Sequence, residues 1–303
     1  MSDVSSCPRD RGHLQPIIAG RSWKRLCTLL FFVPLLLSAQ PRESFFFVQL
    51  ADPQFGMYRI GRDFKHEREH VAKAVRAINR LRPDFVVICG DLVNKAGNEK
   101  QIKAFKESFA ALDSTIPLYL VAGNHDVGNT PTIKSLQAYR RTFGQDYYSF
   151  EHRGVRFIVL NSSLLKGPGS ARTEAKEQDE WFQSLLQPHH TPRDNGRTIL
   201  LLHHPFFVKN AEESDKYQNI PSKTRMAYLH LLDETGVKNV FAGHLHHNAG
   251  GVYKGVEVTA SGPVGLPLGT DPSGLRIVEV GPNGLRHRYY SLDDVPDSLE
   301  GWK

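Results

Sequence analysis

Five short stretches of the chain carry Asp, Asn, Gln or His in groups. They are ADPQFG with Asp52 and Gln54, CGDLVN with Asp91 and Asn94, AGNHD with Asn124, His125 and Asp126, LLHHP with His203 and His204, and AGHLHHN with His244, His246 and His247. Carboxylate and amide oxygens mixed with imidazole nitrogens suit borderline divalent ions such as Mn, Fe or Zn better than Ca. The set holds more ligands than one ion needs, and two ions sharing a bridging carboxylate use it most economically. Any one stretch has a plainer explanation, because Asp or Asn after a strand is commonly a turn residue or a helix cap. Repetition at five strand ends is what argues for a site.

Those strands are short apolar runs: SFFFVQLA (44–51), DFVVIC (84–89), PLYLVA (117–122), VRFIVLN (155–161), TILLL (198–202) and KNVFA (238–242). Segments of helical period alternate with them, the pattern of βαβ units. Val71, Ala74, Val75, Ile78 and Leu81 mark one apolar helix face, and Ile102, Phe105, Phe109 and Leu112 mark another. NTPT at 129–132 predicts a helix start with Thr130 as cap and Pro131 at the first helical position. Ser222 is the expected cap of a helix that stops at Gly236. After His247 the glycine-punctuated runs predict antiparallel hairpins. In an open α/β sheet ligands gather beyond the carboxyl ends of the strands, where all five polar stretches fall. Glycine precedes Asp91, Asn124 and His244, as tight strand exits require.

The order Asp-x-x, Gly-Asp, Gly-Asn-His-Asp, His, Gly-His-x-His, running from Ala51 toward the C-terminus, resembles the calcineurin-like metallophosphoesterases. The resemblance implies an α/β fold of four layers, α/β/β/α, in which a double β-sandwich is flanked by helices. It also implies two divalent ions (Mn, Fe, Zn or Mg) at the strand ends. Asp52 and His246 would hold the first ion, Asp91 would bridge, and Asn124, His203 and His244 would complete the second. His125 would protonate the leaving group, with Asp126 orienting it, while a hydroxide between the ions attacks phosphorus. Gln54 stands where the wider family has His, so its place as a ligand is open. His204 is expected to turn away from the ions, and Asn94 either touches phosphate or caps a turn.

ADPQFG, GNHDVGNTPT, HHNAGG and HRYYSLDD look closer still to a subfamily described as Ser/Thr protein phosphatases. The expected activity is therefore phosphomonoester hydrolysis, on a phosphoprotein or a phosphorylated small molecule. The alternatives are a phosphodiesterase acting on cyclic nucleotides, lipids or nucleic acid, and a metal-bound scaffold without catalysis.

Composition is that of a globular chain, with 40 % apolar and 23 % charged residues among 303. Residues 1–43 differ from the rest and form a separate leader, leaving 44–303 as the enzymatic domain. RSWKR at 21–25 precedes the uncharged run LCTLLFFVPLLLSA at 26–39, which is shorter than the ~20 residues of a spanning helix. Basic flank, apolar core and small residues read as a secretory signal cleaved near Ala39, giving a secreted or periplasmic protein. The alternative is a membrane anchor over 26–39. Residues 1–40 contribute +3 of the net charge of +6, so the remainder, at +3, gives no strong nucleic-acid signal. Of Cys7, Cys27 and Cys89, only Cys89 lies beyond the leader, as a small core residue.

Overall fold

The computed structural model describes residues 44–58, 63–186 and 197–299. The leader expected at 1–43 lies outside the described residues. Along the chain the elements are β1 (Phe45–Leu50), α1 (Lys65–Leu81), β2 (Phe85–Ile88), α2 (Glu99–Phe109), β3 (Leu118–Leu120), α3 (Asn124–Val127), α4 (Ile133–Phe143), β4 (Tyr148–His152) and β5 (Val155–Val159). They continue with α5 (Ser162–Lys166), α6 (Arg172–Leu186), β6 (Thr198–Leu201), α7 (Ser222–Thr235), β7 (Asn239–Ala242), β8 (Ala249–Tyr253), β9 (Val256–Ala260), β10 (Gly274–Gly281) and β11 (Gly284–Ser291). No helix among the described residues is long and apolar enough to cross a membrane.

The strands form a five-stranded sheet in the order β11-β10-β1-β2-β3 and a six-stranded sheet in the order β4-β5-β6-β7-β9-β8. β1, β2 and β3 run parallel, as do β5, β6, β7 and β9. The two expected hairpins, β8–β9 and β10–β11, are antiparallel.

Strand alternation builds three apolar layers at once. In β1, Phe45 and Phe47 point into the space between the sheets, while Val48 and Leu50 join the cluster under α1, α2 and α4. Ile158, Leu200, Val240 and Val258 face the other way, onto Phe182 and Leu186 of α6 and Leu229 and Leu232 of α7. Helices, two sheets and helices again make the expected α/β/β/α sandwich.

Aromatic rings fill the middle layer. Phe47 stacks on Phe85 with centroids 4.9 Å apart, and Phe157 stands nearly perpendicular to both, at 5.5 and 5.0 Å. Gln49 is the one polar side chain of β1 buried in that layer. Its amide donates to the carbonyl of Ala242 on the opposite sheet at 2.8 Å and to Cys89 Sγ at 3.3 Å. Cys89 is buried and free, as expected of a core residue.

Two helix starts differ from expectation. α4 begins after Thr132, whose Oγ1 accepts the Ser135 N–H at 3.1 Å, because Gly128 to Pro131 are spent in the turn leaving α3. At α7, Pro221 occupies the cap position and Ser222 is the first helical residue, with its N–H held by Asp215 at 2.6 Å. Gly236 ends that helix in the left-handed conformation, φ 83°, as expected.

Phe157 anchors the middle layer, so Phe157→Ala should cost about 3–5 kcal/mol, the range for a buried aromatic truncation. Chemical denaturation of the two proteins measures it; a loss under about 1 kcal/mol would mean that the inter-sheet layer collapses onto the void.

Candidate metal centre

Parallel strand order brings the five polar stretches to one edge of the sandwich. β1, β2 and β3 deliver Asp52, Asp91 and Asn124 from the five-stranded sheet; β6 and β7 deliver His203, His244 and His246 from the other. Oxygen donors thus come from one sheet and imidazoles from its partner. All six are buried, Asp52 and His203 completely.

The donor atoms converge. His203 Nε2 lies 2.9 Å from Asn124 Oδ1, 3.2 Å from His244 Nδ1 and 3.3 Å from Asp91 Oδ2. His246 Nε2 lies 3.5 Å from Asp52 Oδ1, and one donor atom each from Asp52, Asp91 and His246 falls within 4.8 Å of the others. Asp91 therefore belongs to both groups, one with Asp52 and His246, the other with Asn124, His203 and His244.

Each imidazole is aimed by a backbone carbonyl that takes its far nitrogen. His203 Nδ1 bonds the Cys89 carbonyl at 2.9 Å, His244 Nε2 the Tyr217 carbonyl at 3.2 Å and His246 Nδ1 the Leu266 carbonyl at 2.5 Å. The remaining nitrogen of each then faces the cluster, that of His203 carrying a proton that a cation would replace, in the usual arrangement of a ligating histidine. His125 is held the same way, Nδ1 on the Asn94 carbonyl at 2.7 Å, while its backbone N–H donates to Asp91 Oδ1 at 2.8 Å.

Backbone geometry is bent to this purpose. Asp52, Gln54, Asp91, His244 and His246 all have left-handed φ, from 35° to 73°, and make up five of the eight such non-glycine residues among those described. Strain of this kind costs roughly 1–3 kcal/mol per residue and gathers at functional sites. Gly123 is needed for close approach, since a Cβ there would collide with the backbone nitrogen and Oδ1 of Asp91.

Charge is unevenly shared. Burial pushes the Asp52 carboxyl up to about 6 despite His246 and His203 beside it. Burial opposes ionisation of Asp91 too, but His203, His125 and His244 outweigh it and hold that carboxyl well below the usual range. Burial likewise opposes a charge on His203, yet the Asp91 and Asp52 carboxylates raise its pKa to about 9. Burial and the His203 charge bring His244 down to about 3.

Two expectations change. Asp126 does not touch the His125 ring: its carboxylate accepts the N–H groups of Leu92, Val93 and Gly123 at 2.9–3.2 Å, because it closes the turn from β3 and ties it to the β2 exit. Asn94 orients His125 instead, through its carbonyl. Nor does His204 turn away. It is fully buried, Nδ1 is 2.9 Å from Ser162 Oγ, and one of its nitrogens falls within 4.8 Å of donors from His203 and His244. Gln54 donates through Nε2 to Asn94 Oδ1 at 3.1 Å, leaving its buried Oε1 without a hydrogen-bond partner. The carbonyls of Cys89, Asn94, Tyr217 and Leu266 went unread, and no residue type announces them.

Buried oxygen and nitrogen donors converging on one another, strained backbone and an orphaned amide oxygen all fit cations between these side chains. A strand-end cluster of this kind on an α/β/β/α sandwich is what the resemblance to metal-dependent phosphoric ester hydrolases led one to expect. Residues 47–248 match the calcineurin-like phosphoesterase family, and the chain belongs to it. It is similar to the human serine/threonine-protein phosphatase CPPED1, 38 % identical over 284 residues that cover 86 % of this chain and 90 % of the relative. Among solved structures it shares the fold of a purple acid phosphatase from yellow lupin, with a TM-score of 0.61 and 16 % identity over 84 % of this chain and 52 % of that one. A dimetal phosphatase from Danio rerio matches at a TM-score of 0.53 and 17 % identity, over 83 % of this chain and all of that one.

A cation at His203 must displace the proton that Asp91 and Asp52 stabilise there. Uptake of Mn by the metal-free protein at neutral pH should release that proton, and apparent affinity should climb about tenfold per pH unit up to a pH of about 9. Titration calorimetry in buffers of different ionisation enthalpy reads both; affinity independent of pH below that point would show His203 neutral before binding.

Proposed function

We propose that the chain is a phosphomonoesterase acting on phosphoserine and phosphothreonine in proteins, through a two-ion centre bridged by Asp91. The observation that carries the reading is Asp91's membership of both ligand groups, 3.3 Å from His203 on one side and clustered with Asp52 and His246 on the other. The human relative's name as a serine/threonine-protein phosphatase supports the substrate class. Asp52 and His246 would hold the first ion, with Gln54 Oε1 available to it, and Asn124, His203 and His244 the second. Two divalent ions there supply charge to clamp phosphate oxygens and to acidify an attacking water.

The chain's own residues do the rest. The Asn94 carbonyl occupies His125 Nδ1, which leaves Nε2 as the atom that can hand a proton to the departing alkoxide. Asp91 accepts the His125 backbone N–H, so the proton donor and the bridging carboxylate hold a fixed spacing. Asp126 serves by locking the loops of Asp91 and His125 together through three backbone N–H groups. It is a positioning residue.

The test is hydrolysis by the metal-loaded full chain of phosphoserine and phosphothreonine peptides, p-nitrophenyl phosphate, its bis-ester and cyclic nucleotides. The phosphopeptides and the monoester should turn over fastest; preference for the bis-ester or a cyclic nucleotide would replace this reading with a diesterase.

His125→Ala should keep its metal content and lose roughly 10²-fold or more in turnover of an alkyl phosphate. The deficit should shrink with p-nitrophenol as leaving group, which departs without a proton. An equal deficit for both esters would remove His125 from proton transfer.

A further inference from the structure

Between His204 and α7 the chain makes a strap, residues 205–221, that contains no helix or strand. It is nevertheless firmly pinned. Arg225, fully buried in α7, donates to the carbonyls of Ile220 at 3.0 Å, Phe206 at 3.5 Å and, at closest range, Glu213. The Glu213 carboxylate accepts the N–H groups of Val208 and Lys209 at 2.8 and 3.0 Å and the Asn219 amide at 2.7 Å. Lys166 of α5 closes the far side, its ammonium on the carbonyls of Lys216 and Asn219 at 2.9 and 2.7 Å. A buried guanidinium spent wholly on one loop is costly to desolvate, so the shape of that loop must matter.

What the strap carries is Tyr217, a large side chain left 52 % exposed. Its hydroxyl accepts Nδ2–H of Asn124 at 3.1 Å. Its carbonyl takes His244 Nε2 at 3.2 Å, and its ring lies 5.0 Å from the His244 ring. One strap residue thus grips two of the three donors assembled around His203. An Asn side chain can present either its oxygen or its NH2 to a cation, and only the oxygen can ligate. With its NH2 on the Tyr217 oxygen, Asn124 turns its Oδ1 toward His203 Nε2, 2.9 Å away.

We propose that Tyr217 is a positioning residue for the second ion of the centre: its hydroxyl turns the Asn124 oxygen inward and its carbonyl sets the His244 ring. This rests on the two-ion reading above and adds to it a determinant outside the ligand set. Tyr217→Phe removes only the hydroxyl grip, and Tyr217→Ala removes the ring as well while keeping the carbonyl.

Mn is titrated calorimetrically into the metal-free full chain and each variant. Asn124→Ala identifies the step of the isotherm that belongs to the second ion. Tyr217→Phe should weaken that same step roughly three- to tenfold, the worth of one hydrogen bond, and leave the other step in place. Tyr217→Ala should weaken it at least as much, and Gln218→Ala, an exposed neighbour, should match the wild type. A Tyr217→Phe isotherm that superimposes on the wild type overturns the proposal, and so does a variant that loses thermal stability without losing Mn affinity. Hydrolysis of p-nitrophenyl phosphate by the Mn-loaded wild type is followed in parallel. Its failure would sink the monoesterase reading, while the isotherms would still decide the role of Tyr217.

Discussion

Ionised carboxylates and an imidazolium cannot be taken out of water singly, and this chain buries them together. His203 lies 3.3 Å from Asp91 and 3.9 Å from Asp52, and all three have almost no solvent contact. Removing one member would leave its neighbours uncompensated in a low-dielectric setting, where a stranded charge costs several kcal/mol, about 3–5 by the usual measure. Much of the remaining architecture can be understood as holding that cluster at fixed spacing. Backbone N–H groups of His125 and His244 neutralise the carboxylates from one side, and backbone carbonyls steady the imidazoles from the other.

Such spacing demands that two sheets keep register, because oxygen donors ride on one and nitrogen donors on the other. The interlocked phenylalanines resist sliding by shape, and Gln49 resists it by direction, since its amide must reach the Ala242 carbonyl across the gap. Ala242 is the last residue of β7, two positions before His244. A cross-sheet hydrogen bond next to the ligands couples the packing of the interior to the metric of the site.

The fold was legible where burial imposes pattern. Fully buried parallel strands appear as unbroken apolar runs, and α1 and α2 show their inner faces through helical spacing. β4 escaped notice because it is an edge strand of alternating, half-exposed residues, and α6 because only Gln178, Phe182 and Leu186 of its face are buried. The start of α4 was misplaced because Pro131 suits a first helical turn as well as the loop it occupies. At the site, residue types pointed to the side chains that converge and not to their supports. Carbonyls are common to every residue, so Asn94, Leu266 and Tyr217 acquire their roles from position alone. Asp126 shows the converse: a carboxylate beside a histidine suggests a dyad, yet three nearby backbone donors compete for it and win.

The left-handed residues carry a consequence for descent. At Asp52, Gln54, Asp91, His244 and His246 a glycine would relieve the backbone at once, yet it would delete a polar group the centre uses. Selection for durability and selection for turnover therefore pull against each other at these same five positions. A lineage freed from its catalytic duty would be rewarded for losing them, first where the lost side chain leaves no buried charge stranded. Gln54, whose neutral amide would leave no charge behind, is the place where such drift would begin.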